Sequence, residues 1–573
     1  MKYAHYICTF FVAATGVFCS PVLRAQPEKG YDVHYYNATV RLDRAQDSLW
    51  GQVTMTATAT TTIRQVLQYI KYLTIDSVFL NNVKTGITIG DTQSGEYFIG
   101  VPTFFSLIPE GSTFQITTYY HGHPLPEQYV PGGAPGWGGV TDADTMMFAM
   151  GVGFYAPYTG CTRHWLPCYD LPDDKADSVD LTFITPDNEV TASNGTLVSN
   201  TVTPGGTGER IMHWHESFPI ATYLLTFVSG PFTEQEIPNH DSLPFEVYAL
   251  QSDSVSAAKE MYERVDTILK FYDSLFAPYP FQKVGFAVTQ FGSMEHQTMI
   301  CLDPAAIAGN PLTDVSDNST IAVHELSHQW WGDRVTCRTF DDAWLNEGFA
   351  HYCESLDLER LFGRAKYVAR QHENIVAAKG SNLPLFGAPT VNHHNNNYPN
   401  STIYQKGACV LGMLRQYLGD SVFFQTVRYY GNKHAYSTAT SWDLWNDFDT
   451  ATGKDLGWFF KPWVFGTGYP KDTIYWNATS TGATVSFHQV IDNDSTDYFR
   501  LYVPIKGSTK SGLIAYDTVM MDSTQTSTAI AHFGFQPDTL VFDPEGLLLW
   551  RVVKTFATAG VFSIQNSASG LML

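Results

Sequence analysis

His324-Glu325-Leu326-Ser327-His328, followed after 18 intervening residues by Glu347, constrains this chain more than any other feature. Two histidines at i and i+4 share one face of a helix, one turn apart. Their imidazoles can converge on one metal ion. Catalytic zinc takes three protein ligands and keeps a fourth position for water, and two His with one Glu form a recognised set. Glu325 sits beside the first His, where a carboxylate can take a proton from the water that the metal activates. The segment from Asn346 to Phe362, NEGFAHYCESLDLERLF, repeats apolar residues at helical spacing. Glu347 is therefore expected on a second helix that faces the first. The pattern predicts a metallohydrolase, with His324, His328 and Glu347 as metal ligands and Glu325 as proton acceptor.

Further motifs follow in order. Arg163 to Asp170 reads RHWLPCYD, and Ser193-Asn194-Gly195 forms an SNG turn signal. Gly292-Ser293-Met294-Glu295-His296 precedes the metal pattern, and Tyr404-Gln405-Lys406-Gly407-Ala408 follows it. Trp463 to Pro470 reads WVFGTGYP. Together these residues resemble the M1 family of zinc aminopeptidases, gluzincins of pattern HExxH-x18-E, in a short secreted bacterial-type form. The resemblance implies one zinc ion per chain, a thermolysin-like catalytic domain, and peptide substrates with a free N-terminus. It gives Glu295 the role of binding the substrate ammonium, with Gly292, Ser293, Met294 and His296 as further substrate-binding residues. It gives Tyr404 the role of a phenol aimed at the developing oxyanion.

The chain departs from the family pattern in two places. Ser293 stands for Ala and His296 for Asn in the GxMEN motif, which places an imidazole able to titrate near neutral pH beside Glu295. A second acidic or amide anchor for the ammonium, common in the family before the PC(F/Y)D element, has no counterpart in Phe154 to Tyr158. Other functions share parts of the pattern: a zinc endopeptidase, an epoxide-hydrolysing relative, or a non-catalytic peptide-binding protein on an enzyme scaffold. The chain stops after a small β region, so the large C-terminal helical domain of many relatives is not expected.

At 573 residues the chain is too long for one core and is expected to hold about three domains. Hydrophobic residues make up 44% and charged residues 16%, which describes a packed protein rather than a disordered one. A net charge of −22 argues against nucleic-acid binding and against docking on anionic lipid.

The N-terminus reads as an export signal: Lys2, a mostly apolar run from Cys8 to Cys19 that is too short to span a bilayer, and Ala25 as a cleavage residue. Bulky Phe18 before Cys19 fits a lipoprotein cleavage site poorly. No other stretch has the length and apolarity of a membrane span, so no membrane insertion is expected. Export places the protein in the periplasm or outside the cell. The mature chain keeps Cys161, Cys168, Cys301, Cys337, Cys353 and Cys409, too few for a disulfide framework. Cys161 and Cys168 are close enough to pair in an oxidising compartment, while the others are expected as buried thiols.

The expected fold class is α+β and multidomain: residues 1–25 a signal peptide, 26–233 an antiparallel β domain, 234–472 a mixed α/β catalytic domain, and 473–573 a β-sandwich. Gly51 to Ala57 alternates with period two, as a half-buried strand should. Ser254 to Phe276 carries Met261, Val265, Ile268, Leu269 and Tyr272 near helical spacing, and Val284 to Val288 is a short strand. Asn318 or Ser319 is expected to cap the metal helix and Gly332 to end it. Strands are expected again at Ala483–Phe487, Tyr498–Ile505, Leu513–Met520 and Thr539–Phe542. Trp330 and Trp331 are read as packing residues, and His393-His394 as part of a polar loop. Asp341 and Asp342 are the residues considered for orienting a zinc-ligating His. The sequence leaves the oligomeric state open.

Overall fold

The computed structural model describes residues 29–91, 97–102, 107–127, 138–143, 145–153, 160–203, 208–240, 243–250, 254–290, 292–307, 317–388, 401–490 and 498–557. The expected signal segment, the Phe154–Tyr158 stretch and the His393-His394 loop lie outside the described residues.

The first strand, Tyr31–Asp43, turns back into Ser48–Ala59, with Asp43 opposite Ser48. Along Ser48–Ala59, Val53, Met55, Ala57 and Ala59 are buried in alternation, so the period-two pattern becomes one apolar sheet face. These two strands centre an eight-stranded sheet whose other pairings are antiparallel, with one exception. Tyr31–Asp43 runs parallel to Ser178–Pro186, with Tyr35 opposite Ser178. That pairing closes a connection of more than 130 residues, which local periodicity does not encode.

The expected boundary at residue 233 falls inside a strand. Phe232–His240 pairs antiparallel with Leu243–Leu250, which pairs parallel with Val284–Val288, which pairs parallel with Ile300–Leu302. The helix Ser254–Leu275 makes the crossover that the first parallel pair requires. Its Val265, Ile268, Leu269 and Tyr272 are buried, each contributing about 1.5–3 kcal/mol of apolar burial. The loop bearing Glu295 joins the last two strands and is held between two cores. Met294, Met299 and Cys301 belong to the N-terminal β core. The neighbouring strand residues Phe286, Ile300 and Leu302 belong to the helical core.

The helical core gathers Asp317–Ser327, Trp344–Phe362, Arg364–Ala378 and Gly407–Leu418. Trp344–Phe362 and Gly407–Leu418 meet at two glycines. A Cβ on Gly348 would lie 3.0 Å from the Gly407 Cα, so the contact depends on both lacking side chains. The same core extends without a break into the C-terminal strands through Trp463, Ile474, Trp476, Val485 and Phe487. There two sheets form. One runs Thr526–His532, Gly482–Val490, Lys471–Thr479, Arg551–Ala557, and the other runs Ile514–Met521, Leu501–Ser508, Thr539–Phe542. The first strand starts at Lys471, two residues before the expected boundary.

All six described cysteines are buried free thiols, Cys161 and Cys168 included. No described helix is long and apolar enough to cross a membrane. Arg163 and Asp170, the ends of the RHWLPCYD motif, form a buried pair: the guanidinium donates to Asp170 Oδ2 at 2.8 Å and to its carbonyl at 2.8 Å. The Arg163 guanidinium also lies 4.6 Å from the centre of the Tyr69 ring. This motif braces the N-terminal β core.

Candidate active site

The His324–His328 sequence lies on Asp317–Ser327 and the turn after it. Asn318 and Ser319 fall inside its first turn rather than at the cap, because the helix begins earlier than the pattern indicates. Gly332 lies beyond the helix end, at φ 140°, and donates its N–H to the Val335 carbonyl. Trp330 and Trp331 are buried, and the Trp330 indole N–H donates to the Ala277 carbonyl at 2.8 Å. They anchor the C-terminal end of this helix against the core.

His324, His328 and Glu347 come together as the i, i+4 geometry requires. His324 Nε2 lies 3.1 Å from His328 Nε2 and 3.2 Å from Glu347 Oε2, and His328 Nε2 lies 3.3 Å from that oxygen. The outer nitrogens fix both rings. His324 Nδ1 donates to Glu354 Oε1 at 2.9 Å, and His328 Nδ1 donates to the Trp331 carbonyl at 2.8 Å. With Nδ1 donating, each neutral ring turns its Nε2 lone pair inward. Tetrahedral zinc with bonds of about 2.0–2.1 Å needs ligand atoms separated by about 3.3–3.4 Å. The triangle is within a few tenths of an ångström of that, and the donor set fits zinc.

Electrostatics points the same way. Burial disfavours charge on His324, yet hydrogen bonds to Glu347 and Glu354 hold its pKa well above the ordinary value. His328 is held up, against burial, by Glu295 and Glu347. Burial also disfavours a charged Glu347, but the two imidazoles, His328 foremost, keep its carboxyl well below the usual range. The pocket favours positive charge, which a divalent ion supplies. Burial pushes Glu325 up to about 8, with His324 and His328 pulling it back. Its carboxylate stands beside both imidazoles, where a group that takes and returns a proton would have to be.

Glu354 is the carboxylate that orients His324. Asp341 and Asp342 do not fill that role. Asp342 accepts from the N–H and hydroxyl of Ser441 at 2.8 and 2.6 Å, and the Asp341 carbonyl accepts from the Gly387 N–H. Glu354 also accepts from Arg370 Nη2 at 2.5 Å and from His351 Nδ1 at 2.8 Å. A signal for it was present: Glu347 and Glu354 are seven apart, two turns along one helix face. Glu354→Ala is expected to weaken zinc affinity about 10–100-fold, measured by competition with a chelator. Unchanged affinity would assign Glu354 to packing alone.

Glu295 is 5% exposed, and its carboxylate lies within 4.8 Å of the ligating atoms of Glu325 and His328. Its loop is held from both sides. Gln329, the residue after His328, donates to the Glu295 carbonyl at 3.1 Å and accepts from the Thr298 N–H at 3.1 Å. The SNG turn supports the other side: Asn194 Nδ2 donates to the Gln297 carbonyl at 2.6 Å, and the Gly195 N–H donates to Thr298 Oγ1 at 2.7 Å. Gly195 has φ +77°, and a Cβ there would sit 2.1 Å from the His215 carbonyl oxygen. Thr298 itself has φ +62°, a strained position for a β-branched residue that these contacts hold in place.

The rest of the motif is engaged with the protein. Met294 exchanges both backbone hydrogen bonds with Cys301. The Gly292 N–H donates to Asp303 Oδ2 at 3.1 Å, and Ser293 Oγ accepts from the Asp303 N–H at 3.0 Å. His296 corrects an expectation. It is fully buried, its Nε2 accepts from the Gly151 N–H at 3.2 Å, and burial lowers its pKa to about 3. It stays neutral near pH 7 and ties the Glu295 loop to the N-terminal β region.

Tyr404 lies on a π-helical turn, Ser401–Lys406, a local irregularity frequent at functional sites. Its ring stacks on His324 at 5.8 Å between centres, 17° from parallel, and meets His351 edge-on at 6.4 Å. A cavity of about 230 Å³ opens here, walled by Ile321, Glu325, His351, Tyr404 and Gln405 among others. Lys406 is buried and donates to the Leu383 carbonyl at 2.9 Å, which pins the turn.

Residues 260–463 match the peptidase family M1 domain. Residues 159–224 match the peptidase M1 N-terminal domain. Among curated proteins, the chain is 28% identical over 413 residues to "Probable aminopeptidase 1" of Sulfurisphaera tokodaii, covering 66% of this chain and 51% of that one. It is 27% identical over 400 residues to "Aminopeptidase N" of Oryctolagus cuniculus, covering 64% and 41%. The chain thus spans about half the length, or less, of these relatives. A solved "M1 zinc metallopeptidase from Deinococcus radiodurans" superposes with a TM-score of 0.64 at 22% identity, over 76% of this chain and 94% of that one. Residues 260–463 contain Glu295, His324, Glu325, His328, Glu347, Glu354 and Tyr404, and residues 159–224 contain the Arg163–Asp170 and SNG elements.

Proposed function

We propose that this chain is an exported zinc aminopeptidase. One zinc ion per chain is held by His324, His328 and Glu347, and the enzyme removes the N-terminal residue from peptides with a free amino terminus. Residues 1–25 act as the export signal, and the product works in the periplasm or outside the cell. Residues 26–233, 234–472 and 473–573 serve as an N-terminal β unit, a thermolysin-like catalytic unit and a β-sandwich.

The observation that carries this reading is the buried Glu295 carboxylate beside the metal triangle. A carboxylate there gives an ammonium group a charge-assisted partner, close to where the first peptide carbonyl would meet the metal. Zinc, when bound, supplies Lewis acidity at that carbonyl. Glu325 takes a proton from the attacking water as the new C–O bond forms, and returns it to the nitrogen as the C–N bond breaks. Tyr404, stacked on His324, offers its phenol to the carbonyl oxygen as charge develops there. Glu354 and Trp331 keep the imidazoles in the ligating tautomer.

The test compares one peptide with a free and an N-acetylated terminus. Loss of the ammonium contact at Glu295 is expected to lower kcat/KM by about 10–150-fold, the equivalent of a charged hydrogen bond worth about 1.5–3 kcal/mol. Glu295→Ala should bring the two substrates close to parity. Equal cleavage by the unmodified enzyme would overturn the aminopeptidase reading in favour of an endopeptidase. Activity that survives complete chelation would remove zinc from the mechanism.

A further inference from the structure

We propose that the outer face of the eight-stranded sheet carries a second metal site, with His213, His215 and Asp180 as ligands for a divalent transition-metal ion such as zinc. The site shares no residue with the triangle of His324, His328 and Glu347 and does not depend on the aminopeptidase reading.

The strand Glu209–Glu216 places the two imidazoles. Residues two apart on a strand share a face. Trp214 between them is fully buried, so His213 and His215 both point outward, with side chains 32% and 38% exposed. Ser178–Pro186 runs antiparallel beside this strand and sets Asp180 directly opposite His215. Both rings converge on one oxygen. His213 Nε2 lies 2.7 Å and His215 Nδ1 lies 3.1 Å from Asp180 Oδ1. The Tyr35 hydroxyl, on Tyr31–Asp43, donates to the other carboxylate oxygen and orients the group, as a hydrogen bond behind a ligand commonly does.

Two imidazoles with one carboxylate suit zinc, copper or nickel better than a hard cation such as calcium. Bonds of about 2.0–2.1 Å, at octahedral to tetrahedral angles, need ligand atoms about 2.9–3.4 Å apart. The two nitrogen–oxygen separations are within a few tenths of an ångström of that range. The ring nitrogens flank the oxygen and must close on each other around an ion, which partly exposed rings are free to do. Each ring makes its hydrogen bond to Asp180 through its inward nitrogen, and its outward nitrogen has no partner among the described residues. The outward nitrogen can therefore carry the proton and leave the inward lone pair for a metal. His34 on the neighbouring part of the sheet differs, since Asp177 Oδ2 and Thr58 Oγ1 occupy its two nitrogens at 3.0 and 2.9 Å. Burial opposes charge on Asp180, but hydrogen bonds from Tyr35, His213 and His215 hold its carboxyl below the usual range, so an ionised ligand is ready near neutrality. An ion bound here clips Ser178–Pro186 to Glu209–Glu216.

The experiment dialyses the full, metal-free chain against zinc alone over a series of free concentrations and counts bound ions by atomic absorption. The natural chain is compared with His213→Gln plus His215→Gln, and with His324→Gln plus His328→Gln. The natural chain is expected to bind two ions, and each double variant to lose a different one. With the triangle already loaded, zinc at about 100 times the dissociation constant of the second ion should raise the melting temperature of the natural chain by roughly 5–10 °C. The His213→Gln plus His215→Gln chain should not move. If that variant fails to fold, Asp180→Asn decides, since it keeps both imidazoles and the carboxylate shape and should lose the melting shift. A second ion and a melting shift that survive these substitutions would overturn the proposal. So would a natural chain whose single ion persists in His213→Gln plus His215→Gln. A single ion that this variant loses would support the site and remove zinc from the triangle instead.

Discussion

Glu325→Gln is expected to lower kcat by about 10²–10⁴-fold while zinc content stays at that of the natural chain. The substitution keeps size and shape but removes the group that accepts and returns the proton. Glu325 is not among the three atoms that form the metal triangle, so loading should be unaffected. Its environment makes it suited to the role. It is buried beside two imidazoles, and burial raises its pKa while His324 and His328 pull it back. Zinc by atomic absorption and steady-state kinetics on an unblocked peptide check both halves together. A variant that kept full kcat with full zinc would assign proton transfer to another group. A variant that lost zinc would show that Glu325 holds the site together.

Arg163→Met is expected to destabilise the N-terminal β region by about 3–5 kcal/mol. Arg163 and Asp170 are both almost completely inaccessible, and the guanidinium satisfies the Asp170 carboxylate and carbonyl at once. Methionine fills the space of the arginine stem but leaves a buried carboxylate without its counter-charge. At about 2–4 °C per kcal/mol for a unit of 150–250 residues, the transition should fall by roughly 6–20 °C. Differential scanning calorimetry of the full chain would show it. Arg163→Met with Asp170→Leu, which removes both charges, should recover part of the loss. A single variant that melted with the natural chain would show that the pair contributes nothing net.

The RHWLPCYD and SNG motifs differ in what they hold. RHWLPCYD sits about 150 residues before the metal helix, and its charged ends make a structural brace. The SNG turn has a different task, since Asn194 and Gly195 hold the loop that presents Glu295. In sequence these motifs look alike as short islands of specific residues. Their contacts differ: one pairs buried charges within the N-terminal β core, and the other holds the loop that carries Glu295.

The sequence alone determined that two imidazoles would converge as candidate metal ligands, because a helix has a fixed period. Residues at i and i+4 share a face wherever the helix packs, so His324 and His328 converge regardless of the remainder of the fold. Alternation in Ser48–Ala59 and the helical spacing in Ser254–Leu275 were legible for the same local reason. The orientation of His296 was not legible. Its motif position pointed to substrate, but the Gly151 backbone, 145 residues away, takes its Nε2 and burial lowers its pKa. The choice of Glu354 over Asp341 and Asp342 depended on which helix face meets His324. Such facts arise from packing between segments far apart in the chain, where one partner's identity says nothing of the other's position. Local periodicity brought His324 and His328 onto one helix face, and tertiary packing decided which groups, Glu347 and Glu354 among them, surround the pair.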